Sequence, residues 1–205
     1  MPEYADGMLY EHLGARPRID ETAVIAPTAV ISGDVTIGQD CQILHGAVIT
    51  AEGGPITLGT NVIVMENAIV RASSANPVHI GDHVLIGPGA SVSGAIIGDE
   101  VFLATGTRVF NGAHIGDRAE VRINAVVHLR TTLPADAVVP IGWVAVGEPL
   151  LVLPPDRHEE IAAAQQELDF PGYVFGVDRS TPDVMVQLTE RYARSLARHA
   201  DDTPA

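Results

Sequence analysis

The stretch HVLIGPGASVSGAIIGDEVFL, residues 83–103, decides the fold. Aliphatic side chains return at Ile86, Val92, Ile97 and Leu103, and small residues and turn formers fill most of the space between them. The series runs in both directions from this stretch. Upstream lie Ile25, Ile31, Ile37, Ile43 and Ile49, then Leu58, Val64 and Val70, then Ile80. Downstream, Val109, Ile115, Val121, Val127, Leu133 and Val139 keep an unbroken step of six, and Ala145 closes the series. Three steps are irregular: nine residues at 49–58, ten at 70–80 and five at 92–97. A compact residue sits two positions before most anchors, as at Ala29, Cys41, Ala47, Ala90 and Ala113, and glycine often follows, as at Gly81, Gly98 and Gly116. A period of six is neither the 3.6 of a helix nor the 2.0 of a single sheet face. It fits a short strand and a turn repeated until the chain coils on itself, with successive coils stacked at the strand spacing of about 4.8 Å. In this reading glycine supplies positive φ at the corners. Anchor counting predicts six to seven turns.

Three hexads complete one turn, so every third anchor shares a ladder. One predicted ladder is Ile49, Val70, Val92, Val109 and Val127, which stacks Thr50, Arg71, Ser93, Phe110 and His128 on the outside. A neighbouring ladder, Ile43, Val64, Ile86, Leu103 and Val121, carries the column His45, Glu66, Pro88 nearby. The long steps 49–58 and 70–80 bulge beside these columns, and two loops meeting an ordered surface suggest a ligand cleft.

Composition narrows the function classes. The 205 residues carry 12 basic and 26 acidic side chains, a net charge of −14, which argues against nucleic acid or an anionic membrane as partner. All the basic residues are Arg, so a P-loop lysine and Schiff-base chemistry are excluded. The single Cys41 excludes an intrachain disulfide and is read as a core residue. The opening MPEYADGMLY shows no signal-peptide pattern and no apolar run reaches eighteen residues, so the expected location is cytoplasmic. The expected organisation is an extended segment over 1–23, the coil over 24–149 and a helical extension over 150–205 packed on it. Within the extension, DRHEEIAAAQQEL (156–168) reads as a helix capped by Asp156, residues 169–179 as a turn-rich connector, and a second helix runs from Thr181 and Pro182 to about His199.

The [LIV]-G-x-x-x-x hexads resemble those of the left-handed parallel β-helix superfamily, which implies a mainly β fold with C-terminal α-helices. Handedness comes from that resemblance alone. Within the superfamily, AVITAEGGPI (47–56), MENAIVR (65–71) and IGPGASVSGAIIG (86–98) are similar to three motif stretches of the γ-class carbonic anhydrase-like family. That family is implied to form homotrimers and to bind zinc through three histidines at a subunit interface. The ligand positions fall on Arg71, Pro88 and Ser93, none of which suits zinc. The family's Arg–Asp pair becomes Thr50 and Glu52, and its Gln–Asp pair becomes Met65 and Glu66.

The sequence therefore predicts no metal and no cofactor. The catalytic candidates are Glu66, Glu52, Arg71 and His45, and the substrate-binding candidates are Thr50, Ser93, Phe110 and Asn111. Arg71 is expected either to form a bidentate pair with Glu66 or Glu52 or to hold a ligand anion. Two functions remain open. One is a metal-independent activity on, or binding of, a small anion, with an acyl-CoA thioester suggested by analogy to related acyltransferases. The other is a non-catalytic trimeric binding or assembly scaffold.

Overall fold

The computed structural model describes residues 8–205; the first part of the expected N-terminal segment, residues 1–7, lies outside the described residues. The chain coils into a three-faced prism of parallel sheets. The first face holds eight parallel strands: Met8–Glu11, Val30–Ser32, Val48–Glu52, Ile69–Ser73, Ser91–Ser93, Arg108–Val109, Val126–Val127 and Val144–Val146. The second face runs from Arg18–Ile19 to Thr132–Leu133 and the third from Val24–Ile25 to Val138–Val139, with seven strands each. The coil thus begins one rung before the predicted start. Leu9 and Ile19 are its first anchors; Ile19 keeps the step of six before Ile25, and only Leu9, ten residues earlier, falls outside the period.

Register follows the predicted ladders. On the first face Leu9, Ile31, Ile49, Val70, Val92, Val109, Val127 and Ala145 stand one above another. On the third, Ile25, Ile43, Val64, Ile86, Leu103, Val121 and Val139 do the same. All twenty anchors from Ile25 to Ala145 are buried, none more than 9% exposed. Cys41 is among the buried compact residues, its thiol donating to the Gly59 carbonyl.

The glycines after the anchors have a different cause from the one expected. Gly59, Gly81 and Gly98 do not take positive φ; that conformation falls two residues later, at Asn61, His83 and Glu100. Close approach explains the glycines instead. In the repeated Ile-Gly-Asp of 80–82, 97–99 and 115–117, each Asp side chain accepts an amide from the rung before: Thr60 N to Asp82 at 2.7 Å, Asp82 N to Asp99 at 2.8 Å and Asp99 N to Asp117 at 3.0 Å. A Cβ on Gly59, Gly81 or Gly98 would collide with that carboxylate oxygen.

After the coil, Leu151–Leu153 doubles back antiparallel on Val144–Val146. Three helices follow: α1 (His158–Gln166), α2 (Phe170–Phe175) and α3 (Val184–Leu196). The connector read as turns contains α2, because Asp169 caps it by accepting from Gly172 N and Pro171 sits in its first turn. The expected caps Asp156 and Thr181 are not used; α1 and α3 start after Arg157 and Asp183, without side-chain cap bonds. Helix α3 ends at Leu196 and tightens into a 3-10 turn, Ala197–Asp201. The chain then lays Thr203–Pro204 antiparallel against the first strand, Met8–Glu11. No helix among the described residues is long and apolar enough to cross a membrane.

Gly98→Ala should cost about 1–3 kcal/mol, as overpacking against a neighbouring rung does. Equilibrium denaturation should show the loss, and Asp117→Ala in the same chain should recover part of it by removing the obstructing oxygen.

Candidate functional site

The outward residues of the first face form a column in register: Tyr10, Ser32, Thr50, Arg71 and Ser93. The long steps let two of its strands, Val48–Glu52 and Ile69–Ser73, run to five residues. They reach past the prism edge, and helices α2 and α3 fold back above them. Between sheet and helices lies a cleft of about 580 Å³. Its coil side is Glu52, Arg71, Ser93, Phe110 and Asn111; its helix side includes Phe170, Tyr173, Phe175, Arg191 and Tyr192. The apolar wall is knit by edge-on aromatic contacts, Phe110–Phe170, Phe170–Phe175 and Phe175–Tyr192.

Arg71 is the cation on the cleft floor. It donates from Nη1 to the Tyr192 hydroxyl at 2.8 Å, and its Nε lies 3.3 Å from Glu52 Oε1. The expected bidentate pair is absent: the Glu52 contact is single and lacks hydrogen-bond geometry, so Nε is a buried donor without a partner. Glu66 takes no part. The Arg71 side chain is 43% exposed and that of Glu52 9%, so the carboxylate is the more buried partner. A planar guanidinium left short of acceptors is suited to a carboxylate.

Five of the candidates, Glu52, Arg71, Ser93, Phe110 and Asn111, therefore share one cleft. The other three do not line it. Thr50 is buried, 8% exposed. His45 and Glu66 stand with Pro88 at the opposite end of the first-face strands, on the corner where the chain leaves the third face. There His45 Nδ1 bonds Thr28 Oγ1 at 2.8 Å. The two columns are separate because the corner precedes the strand while the cleft follows it. Zinc does not fit the positions that the family pattern indicates: a guanidinium has no lone pair to donate, proline has no donor atom, and neutral serine is a poor ligand.

Several residues escape sequence reasoning. Tyr192 holds Arg71, Tyr173 donates to Asn76 at 2.8 Å, and Arg191 donates to the Gly176 carbonyl. Beside Glu52 lies a cluster from both chain ends. Asp202 accepts from His12 Nδ1 at 2.5 Å through one oxygen and from His199 Nδ1 at 2.8 Å through the other. The imidazoles stack 4.2 Å apart. His199 Nε2 lies 3.9 Å from Glu52. No periodicity or spacing marks residues 190 apart in sequence.

Comparison with known proteins agrees with this architecture. The family model "Bacterial transferase hexapeptide (six repeats)" matches residues 77–111. Gamma carbonic anhydrase 1, mitochondrial, of Arabidopsis thaliana is 30% identical over 156 residues, 73% of this chain and 54% of that protein. A carbonic anhydrase of Geobacillus kaustophilus is 32% identical over 110 residues, 54% of this chain and 60% of that protein. The chain spans about half the length of the curated relatives it matches. Among solved structures, a putative acetyltransferase of Bacillus cereus superposes with a TM-score of 0.64 at 20% identity, covering 92% of this chain and 99% of that one, which shows the shared fold. The coil and its ladders define a hexapeptide-repeat protein. Among such proteins the chain belongs to the γ-carbonic-anhydrase-like family.

The Asp202 cluster sets an acid limit. Burial pushes the Asp202 carboxyl up, but hydrogen bonds from His199 and His12, with their charge, outweigh it and hold the carboxyl below its ordinary 3.8. A carboxyl lowered on folding contributes stability above its unfolded value and loses it as pH falls through the folded one. Denaturation followed across pH should therefore show an acid limb below about pH 4 that Asp202→Asn flattens.

Proposed function

We propose that the protein binds a small organic anion, an acyl or aryl carboxylate, in the cleft beneath α2 and α3, and does so without zinc. Arg71 carries the reading: a permanent cation with an unpartnered buried Nε on the floor of a cleft of about 580 Å³. That volume is in the range of small-molecule sites, roughly 300–1,000 Å³. The ligand carboxylate lies on Arg71, with Ser93 and Asn111 as further hydrogen-bonding groups. Phe110, Phe170 and Phe175 receive its apolar body. Glu52, beside Arg71, is the group placed to take a proton if the bound molecule is turned over. An acyl thioester is the substrate class that the acetyltransferase-like neighbour suggests by analogy. Zinc hydroxide has no carrier at Arg71, Pro88 and Ser93, so carbon dioxide hydration is not the activity.

Calorimetric titration with benzoate and with acetyl-CoA tests the reading. At least one should bind, and Arg71→Met should weaken it about 10–100-fold, the equivalent of losing hydrogen bonds to a charged group worth 1.5–3 kcal/mol. Equal affinity in Arg71→Met sinks it. Purified protein should hold no stoichiometric zinc; one zinc per chain, lost with His45→Ala, would reveal a substitute site.

A second reading, a trimeric scaffold, has its own observation. On the outer side of the third face, Ile63, Leu85 and Phe102 stand in register, and Val138 follows beyond Glu120. Ile123 and Ile141 extend the stripe at the adjoining corner, 43% and 62% exposed. An apolar stripe of this extent, interrupted by Glu120, fits self-association. Sedimentation should give a particle of three 21.6 kDa chains, and Phe102→Glu should release single chains. A single-chain mass for the unmodified protein at micromolar concentration excludes the trimer.

A further inference from the structure

The residues that hold the C-terminal segment down are clustered at one end of the cleft. Strand Thr203–Pro204 pairs with Met8–Glu11, and the Ala205 amide donates to the Leu9 carbonyl at 2.9 Å. Immediately before that strand, Asp202 is gripped by His12 and His199. His12 belongs to the coil and is 2% exposed; His199 belongs to the 3-10 turn that continues α3. Asp202 thus joins the end of α3 to the first rung of the prism.

Two imidazoles and a carboxylate are also zinc donors, and their ligand atoms lie within 4.8 Å of one another. The ring geometry decides against a metal. The rings are within 18° of parallel, so their Nδ1 atoms point side by side at two oxygens of one carboxylate. Tetrahedral coordination needs lone pairs converging on a point. An ionised carboxylate only accepts hydrogen bonds, so both rings carry hydrogen on Nδ1 and donate it. The arrangement is a carboxylate clasp.

Helix α3 also meets α2, through the Phe175–Tyr192 edge contact and the Arg191 bond to the Gly176 carbonyl. None of its residues is buried, so packing contributes weakly to its position. Its polar tethers to the coil are Tyr192 on Arg71 and the Asp202 clasp. The first of these occupies the group a ligand needs: the Tyr192 hydroxyl takes Arg71 Nη1, and Glu52 faces Nε. With α3 down, Arg71 is partly self-occupied.

We infer that α3 and the 3-10 turn form a lid over the cleft, held shut by the His12–Asp202–His199 clasp, and that releasing the clasp frees Arg71 for an incoming anion. The lid stands on the clasp geometry; its effect on anion entry rests on the binding reading above. Asp202→Asn puts an amide where two N–H groups converge, leaving at most one acceptor for two donors and adding N–H groups that face them. Hydrogen exchange of the full chain should then rise about tenfold or more for amides of Val184–Asp201, matching hydrogen bonds to a charged group worth 1.5–3 kcal/mol. Core-strand amides such as Val92 should stay protected. Benzoate association, followed by tyrosine fluorescence, should accelerate by a similar factor. His199→Asn, which leaves the His12–Asp202 bond in place, should give a smaller change in the same direction and serves if Asp202→Asn does not fold. Unchanged exchange over Val184–Asp201 in both variants overturns the lid. Faster exchange with an unchanged benzoate rate keeps the lid and removes its control over the cleft. Faster exchange with no benzoate binding in any variant, acetyl-CoA also failing, condemns the binding reading and leaves the clasp standing.

Discussion

Every turn of the coil must place one aliphatic side chain at the centre of each of three narrow faces, directly over the one below. With strands about 4.8 Å apart, each inward side chain packs directly on those of the rungs above and below, and nearly every inward position is apolar. Ile86 between Val64 and Leu103, or Val92 between Val70 and Val109, shows how little the inner surface can vary. The outward column is free of that demand. Thr50, Arg71 and Ser93 occupy equivalent positions on consecutive rungs yet differ in size, charge and hydrogen-bonding capacity. A scaffold of this kind can therefore stay constant while the chemistry mounted on it varies, and here the middle of these three positions carries a cation.

The cleft owes its existence to the C-terminal segment. A flat sheet face offers no enclosure. Here Phe170, Tyr173 and Val174 pack with Phe110 against a small buried cluster of Leu129, Val146 and Leu168, which roots α2 on the prism. Helix α3 has no such root and depends on polar tethers. The result is a wall of two parts, one fixed by apolar packing and one held by hydrogen bonds. In a chain of net charge −14, the arginines at positions 71 and 191 give this cleft a cationic character against the general field.

What was legible in the sequence is what repeats. The six-residue period located nearly every anchor, and the rule that three hexads make a turn placed Thr50, Arg71 and Ser93 side by side. The first rung is harder to read because Leu9 stands ten residues before Ile19, although Ile19 itself keeps the step of six to Ile25. The glycine corners were found but misexplained, since a sequence shows that glycine recurs and not which rung crowds it. Grouping His45 and Glu66 with Arg71 failed because adjacent ladders were treated as one surface, although the corner and the strand end lie on opposite sides of the first face. Nothing local announced Tyr192 over Arg71 or Asp202 between His12 and His199; those contacts depend on where an aperiodic tail returns, which only tertiary packing settles.

The path of that tail also bears on how one molecule meets another. A parallel coil ends in strands with unpaired amides and carbonyls, a template on which a further coil can add without limit. On the first face both ends are shut by strands of reversed direction: Thr203–Pro204 lies outside Met8–Glu11, and Leu151–Leu153 lies outside Val144–Val146. A two-residue edge strand containing Pro204 offers few donors for further pairing. The same chain reversal that shapes the cleft thus makes the first face a poor seed for end-to-end fibres, and loss of the last few residues would expose the most extensive sheet of the molecule to that hazard.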